Sequence, residues 1–216
     1  MPRKPRSAKA ARSPRAAKAS PDRLDRIVDA ALDEAAAVGW RDMTLASIAA
    51  RAGLELGDVL VLTPTKHCLL LRYLDRLDHM TFASARMPDP QDKARDRLFG
   101  VIMGRFDALN RHRAGTRAVI VGAARDPVAL GLAGLRFRRT VSALLSAADI
   151  STDGLVGFLR IEGLQAICLL ALRAWMSDDS ADMSKTMAAL DRALARAESL
   201  MRFLPLGRRR AAEAAS

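Results

Sequence analysis

Three histidines, His67, His79 and His112, are the side chains of this sequence best suited to metal or acid–base chemistry, and they are dispersed, with no metal-ligand spacing among them. His67 and Cys68 are neighbours in a helical stretch, so their side chains point apart. The paired carboxylates Asp178 and Asp179 fall in the turn SDDSAD, where helix capping explains them without chemistry. Gly131-Leu-Ala-Gly134 has the glycines of a phosphate loop but no strand before it. The chain is therefore expected to be a non-enzyme that takes no cofactor and no metal.

The elements that carry these residues read as helices. Ser20-Pro21 is a cap followed by proline at the first helical position. Leu24, Ile27, Val28, Ala31, Leu32 and Ala35 then recur at helical spacing until Gly39. Thr44 caps a second helix with Leu45, Ile48 and Ala49 inward, ending at Gly53. A short third segment is broken by Pro64, and Thr65 caps a fourth helix with Leu69, Leu70, Tyr73, Leu74, Leu77 and Met80 inward. After the proline-marked linker MPDPQD (87–92), helices are expected at about 91–109, 115–124, 127–148, 155–176 and up to Phe203, where Pro205 stops the chain. VLVL at 59–62 is β-prone but has no partner strand, so the fold class is all-α. The longest uncharged run, Gly163–Leu172, is about half the ~20 residues a bilayer span needs.

Charge is unevenly spread. Of the net +11, residues 1–20 hold +7 and residues 208–216 hold +2, leaving +2 for everything between. Within 21–85, seven Lys/Arg face ten Asp/Glu, a net −3. Residues 1–20 have no large apolar residue beyond Met1 and read as a disordered basic tail, with 205–216 a second one. Weak, non-specific contact with nucleic acid or an anionic membrane is the interaction such tails offer. Two lone cysteines, Cys68 and Cys168, in apolar helical runs argue for a reducing compartment.

RIVDAALDEAAAVGWRDMTLASIAARAGLELGDVLVLTPTKHCLL resembles the DNA-binding domain of tetracycline-repressor (TetR) regulators over about Leu24 to Leu77. Ala30, Ala31, Gly39, Thr44, Ile48, Ala49, Ala52, Gly53, Gly57, Pro64, Lys66 and Leu69 stand where that family has them. The resemblance implies a three-helix helix-turn-helix domain at 21–85 and a helical ligand and dimerisation domain at 91–204. The departures cluster on the groove-facing side. Family members usually place a Ser or Thr cap and a Lys at Glu55 and Leu56, Thr at Asp58, and aromatic or His residues at Leu60, Val61 and Leu62. Bases and phosphates are contacted through donors, so these six positions read as a vestigial DNA-recognition segment.

DRLFGVIMGRFDALNRHRAGTRAV (96–119) and WMSDDSADMSKTMAALDRAL (175–194) resemble the C-terminal domain of the ubiquinone-biosynthesis accessory family, at Asp96, Arg97, Phe106, Asp107, Arg113, Trp175, Asp178, Ser180, Asp182, Thr186 and Asp191. That resemblance implies a non-catalytic protein that binds an isoprenoid lipid or quinone intermediate and presents it to a di-iron ubiquinone-pathway hydroxylase. It implies a bacterial cytoplasmic location, peripheral at the inner membrane. The alternative is a TetR-family regulator binding DNA as a dimer with a hydrophobic effector in its second domain.

The helix at 155–176 is apolar nearly all round, and in the TetR-type fold it borders the ligand chamber. Ile167, Leu170 and Ala171, with Met103 and Phe106, are the expected lipid contacts. The interior glycines Gly100, Gly104, Gly131, Gly134, Gly157 and Gly163 clear a helix face for close packing or for a ligand. Met183, Met187, Leu190, Leu194, Ala197, Met201 and Leu204 step as a heptad, and Met187, Leu190, Leu194 and Met201 are taken as the seam of a homodimer.

Overall fold

The computed structural model describes residues 21–83 and 91–203, and among these it contains nine helices and no strand. They are α1 (Pro21–Asp42), α2 (Leu45–Ala52), α3 (Leu56–Leu62), α4 (Lys66–Ala83), α5 (Ala94–Asn110), α6 (Arg113–Ala123), α7 (Pro127–Ala147), α8 (Gly154–Met176) and α9 (Ser184–Phe203). The all-α expectation holds, and VLVL lies within α3. The basic-tail readings, Pro205 and Leu204 fall outside the described residues.

Local chemistry sets most boundaries. Gly39 adopts φ 85° and ψ 163°, which breaks α1 where the sequence places its stop. Thr44 and Ser47 form a reciprocal capping box at the start of α2, and Gly53 closes it in the left-handed region at φ 62°. Thr65 Oγ1 accepts from the Cys68 amide at the head of α4. Asp126 accepts from the Val128 and Ala129 amides at the head of α7, with Pro127 next to it. The α5 helix begins at Ala94 rather than Gln91, because Lys93 is still extended as its cap residue.

One apolar core runs through both halves, from Ile27 and Val28 on α1 to Leu190 and Leu194 on α9. Helices α1 and α6 approach closely within it. A Cβ on Gly115 would lie 2.2 Å from the Leu32 carbonyl oxygen, and one on Gly122 would lie 2.2 Å from Trp40 Cβ. These glycines are seven residues apart on one face of α6, and α1 lies directly against that face. Of the glycines picked out from the sequence, Gly157 meets Thr152 backbone, whereas Gly100, Gly131, Gly134 and Gly163 have nothing within 4 Å.

The heptad on α9 is spent within the chain. Leu190 is 0% exposed and Leu194 and Met183 are buried, while Met187 is half-buried. The assignment of Leu190 and Leu194 to a dimer seam is thus corrected: α9 packs on α8 and α5, and a heptad stripe serves any neighbouring helix equally well. The Met201 side chain is outside the described part.

By length and apolarity α8 suffices to cross a bilayer, which the uncharged run Gly163–Leu172 alone understates; in the fold it packs between α7 and α9.

Candidate functional site

A chamber of about 320 Å³ opens among α4, α5, α6, α7 and α8. That lies at the lower end of the roughly 300–1,000 Å³ usual for small-molecule sites. Its wall is almost wholly apolar: Leu74 and Leu77 from α4, Ile102 and Phe106 from α5, Val119 and Ile120 from α6, Leu130 and Phe137 from α7, Leu169 and Leu172 from α8. Four polar or ionisable side chains join them, Tyr73, Arg105, Thr116 and Cys168.

Those four are held in defined states. The Tyr73 hydroxyl lies 2.6 Å from Thr116 Oγ1, and Thr116 also donates to the Leu109 carbonyl at 3.3 Å. Burial raises the Tyr73 phenol above its ordinary range and pushes the Cys168 thiol up to about 12, so both are neutral at physiological pH. Arg105 Nη1 donates to Asp78 Oδ1 at 2.5 Å. Asp78, on α4, is buried, accepts from Thr140 Oγ1 at 3.0 Å and forms an ion pair with Arg136 Nη2 at 2.9 Å. Arg136 in turn reaches Asp75 at 2.6 Å. This network ties α4 to α5 and α7 beside the chamber.

Of the five lipid contacts expected from sequence, Phe106 lines this chamber. Met103 does not; it is half-buried against the core. Ala171 is fully buried in packing, and Ile167 and Leu170 point to the opposite side of α8, where Ile167 borders a groove with Leu194 and Leu170 is 58% exposed. That these positions fall on different sides of α8 has a simple cause. A helix apolar all round carries no stripe that says which face meets a cavity. Arg105 was the legible signal that the sequence reading missed: it takes a place on the inward stripe of Ile102, Phe106 and Leu109, as Asp78 does beside Leu77 on α4.

The α3 segment packs on α2 and contributes no residue to the chamber wall. Glu55, Leu56, Leu60 and Val61 are exposed, Val61 to 83%. Leu62, in contrast, is half-buried and packs against the core. Asp58 lies 3.5 Å from Arg23, so its carboxylate is partly answered within the chain. Other cations of this unit are also engaged. Arg26 donates to the Ala52 carbonyl, Arg51 pairs with Glu34, and Arg76 pairs with Asp29. Lys66, the lysine of the Pro-x-Lys motif, donates to the last carbonyls of α1, Trp40 and Arg41, at 3.1 and 3.0 Å.

The second sequence signature assembles into a structural knot. Arg113 donates to the Trp175 carbonyl at 2.8 Å and to the Asp178 carbonyl, and its guanidinium lies 4.7 Å from the Trp175 ring centre. Burial raises the Asp178 carboxyl, but hydrogen bonds from Ser180 and Thr186, hydroxyl and amide, outweigh it and hold it well below the usual carboxylate range. Asp182 and Ser180 accept from the Ser184 amide at the head of α9. These residues serve the α8–α9 turn, as capping predicts. Asp191 pairs with Arg95 on α5, and Asp96 and Asp107 are exposed. The histidines stay apart: His67 Nε2 is 2.9 Å from Asp126 Oδ2, and His112 Nε2 is 3.3 Å from Asp29 Oδ1. Among the described residues no three His, Cys, Asp or Glu side chains converge on a metal position.

No protein-family model matches the sequence, and no curated protein does. Solved structures do match. A TetR transcriptional regulator from Nitrosomonas europaea is 28% identical, with a TM-score of 0.69 over 83% of this chain and 99% of that one. The multidrug binding protein EbrR, complexed with imidazole, is 25% identical with a TM-score of 0.51 over 81% and 90%. A TetR transcriptional regulator from Rhodococcus sp. RHA1, at 21% identity and a TM-score of 0.61 over 80% and 93%, shares the fold. The fold of this chain is TetR-like: a helix-turn-helix unit followed by a helical domain that holds the chamber.

Proposed function

We propose that the chain is a ligand-responsive DNA-binding regulator of the TetR type, acting as a homodimer. The observation that carries the reading is the apolar chamber, because one of its walls is α4, the helix that also reaches the reading unit through Lys66 and α1. Similarity to the Nitrosomonas regulator along nearly its whole length supports the same reading. Dimerisation would use the outer face of α8 and α9, where Leu170 and Leu200 are exposed beside Ala166 and Ala193. Base contact by Leu56, Leu60 and Val61 would be apolar, of the kind a thymine methyl offers. Selection from randomised duplexes at physiological salt tests it: enrichment of a two-fold symmetric site is expected.

A second reading is favoured by the exposed aliphatic face of α3 and the internally paired cations around it. On that reading the fold binds an isoprenoid lipid or quinone intermediate and presents it to a hydroxylase, without reading DNA. Failure to enrich any duplex, with an isoprenoid quinone precursor found by mass spectrometry of the purified protein, would put this reading first.

A further inference from the structure

We propose that the chamber selects a monoanionic amphiphile, an apolar body bearing one carboxylate, and that Arg105 is the residue that selects it. The inference rests on the chamber being the ligand site and deepens that reading by naming the ligand's chemistry.

Charge is the first argument. Tyr73 and Cys168 face the chamber neutral, and Thr116 is a neutral hydroxyl, so among the described residues Arg105 is the one charged side chain in its lining. A cationic ligand would find no carboxylate there, and a guanidinium would repel it. Besides its bond to Asp78, the guanidinium has further N–H donors in a planar fork suited to a carboxylate.

The second argument is the cost of exchange. Drawing one partner from a buried ion pair is ordinarily expensive, because the other charge is left stranded. Asp78 would not be stranded. If Arg105 turned to a ligand carboxylate, Asp78 would keep the Arg136 guanidinium and the Thr140 hydroxyl. Arg136 would keep Asp75 as well. Two arginines share one buried aspartate, and the one that lines the chamber is the one that can leave. No bond is made or broken covalently and no proton moves; a hydrogen-bonded ion pair changes partners.

The test is isothermal titration of the full-length protein with decanoate, decanol and decyltrimethylammonium, which differ in head group alone. Decanoate should bind about tenfold to a hundredfold more tightly than decanol, the range a charge-assisted hydrogen bond supplies, and the cation should give no signal. Arg105→Gln should bring decanoate down to the level of decanol. Asp78→Asn removes the competitor for Arg105 and should raise decanoate affinity. If Arg105→Gln does not fold, the Asp78→Asn measurement decides alone, and an unchanged or lower decanoate affinity there overturns the proposal. Equal affinity of decanoate and decanol for the wild type, or a preference that survives Arg105→Gln, overturns it while leaving the chamber reading in place. Binding of neither probe overturns both.

Discussion

Gly115 on α6 and Leu32 on α1 are packed backbone to backbone, with the Leu32 carbonyl oxygen 2.2 Å from where a Gly115 Cβ would stand. The obstacle is main chain, which cannot swing aside as a flexible side chain can. Gly115→Ala should therefore push α6 off α1 and cost about 1–3 kcal/mol, the range for overpacking. Gly122→Ala, aimed at Trp40 Cβ, should behave alike. Gly100→Ala is the control: it is exposed on α5 with nothing within 4 Å, and should stabilise by about 0.5–1 kcal/mol. Urea denaturation of the three variants measures this; equal behaviour of Gly115 and Gly100 would refute the close approach.

The Asp126 carboxylate joins α4 to α7 by receiving the Ala129 amide and the His67 ring, which together hold its pKa at about 2. A carboxyl depressed in the folded state contributes stability above its unfolded pKa and loses it as pH falls through the folded one. Asp126→Ala should thus lower the melting temperature at neutral pH. The gap from wild type should close as pH drops from about 4 toward about 2. Melting curves across that window check it, and a gap independent of pH would mean the cap works without its charge.

Substitutions in α8 and α9 should separate the core from the dimer face. Leu190 is enclosed by its own chain, so Leu190→Glu buries a charge without a partner and should unfold the protein. Leu170 is exposed, so Leu170→Glu should leave a folded monomer. Light scattering with circular dichroism distinguishes these outcomes. A monomeric wild type would remove the outer face of α8 and α9 as an interface.

The chamber predicts a contrast between two alanines. Ala171 is fully buried in packing away from the cavity, and Ala171→Phe should cost about 1–3 kcal/mol. Ala133 lines the cavity, and Ala133→Phe should occupy it, leaving the melting temperature near wild type while abolishing ligand binding. Native mass spectrometry with decanoate reads the second half. Destabilisation by both would mean the cavity has no room for a ring.

What the sequence determined by itself is what short-range chemistry determines. The Thr44 capping box, the Gly39 and Gly53 stops, the Asp126-Pro127 start of α7 and the Asp178–Thr186 turn each depend on residues a few positions apart, and each was legible as a pattern. Inward stripes on α1 and α4 followed from their polar opposite faces. Helix α8 has no such contrast, so sequence could not say that Cys168, Leu169 and Leu172 face the chamber while Ile167 and Leu170 turn away. Nor could a heptad on α9 say whether its partner was α8 or a second chain. Arg105 with Asp78, and His67 with Asp126, meet across 27 and 59 residues of chain. Such pairings are fixed only when helices dock, because the free energy that brings them together comes from burying the faces around them rather than from the pairs themselves.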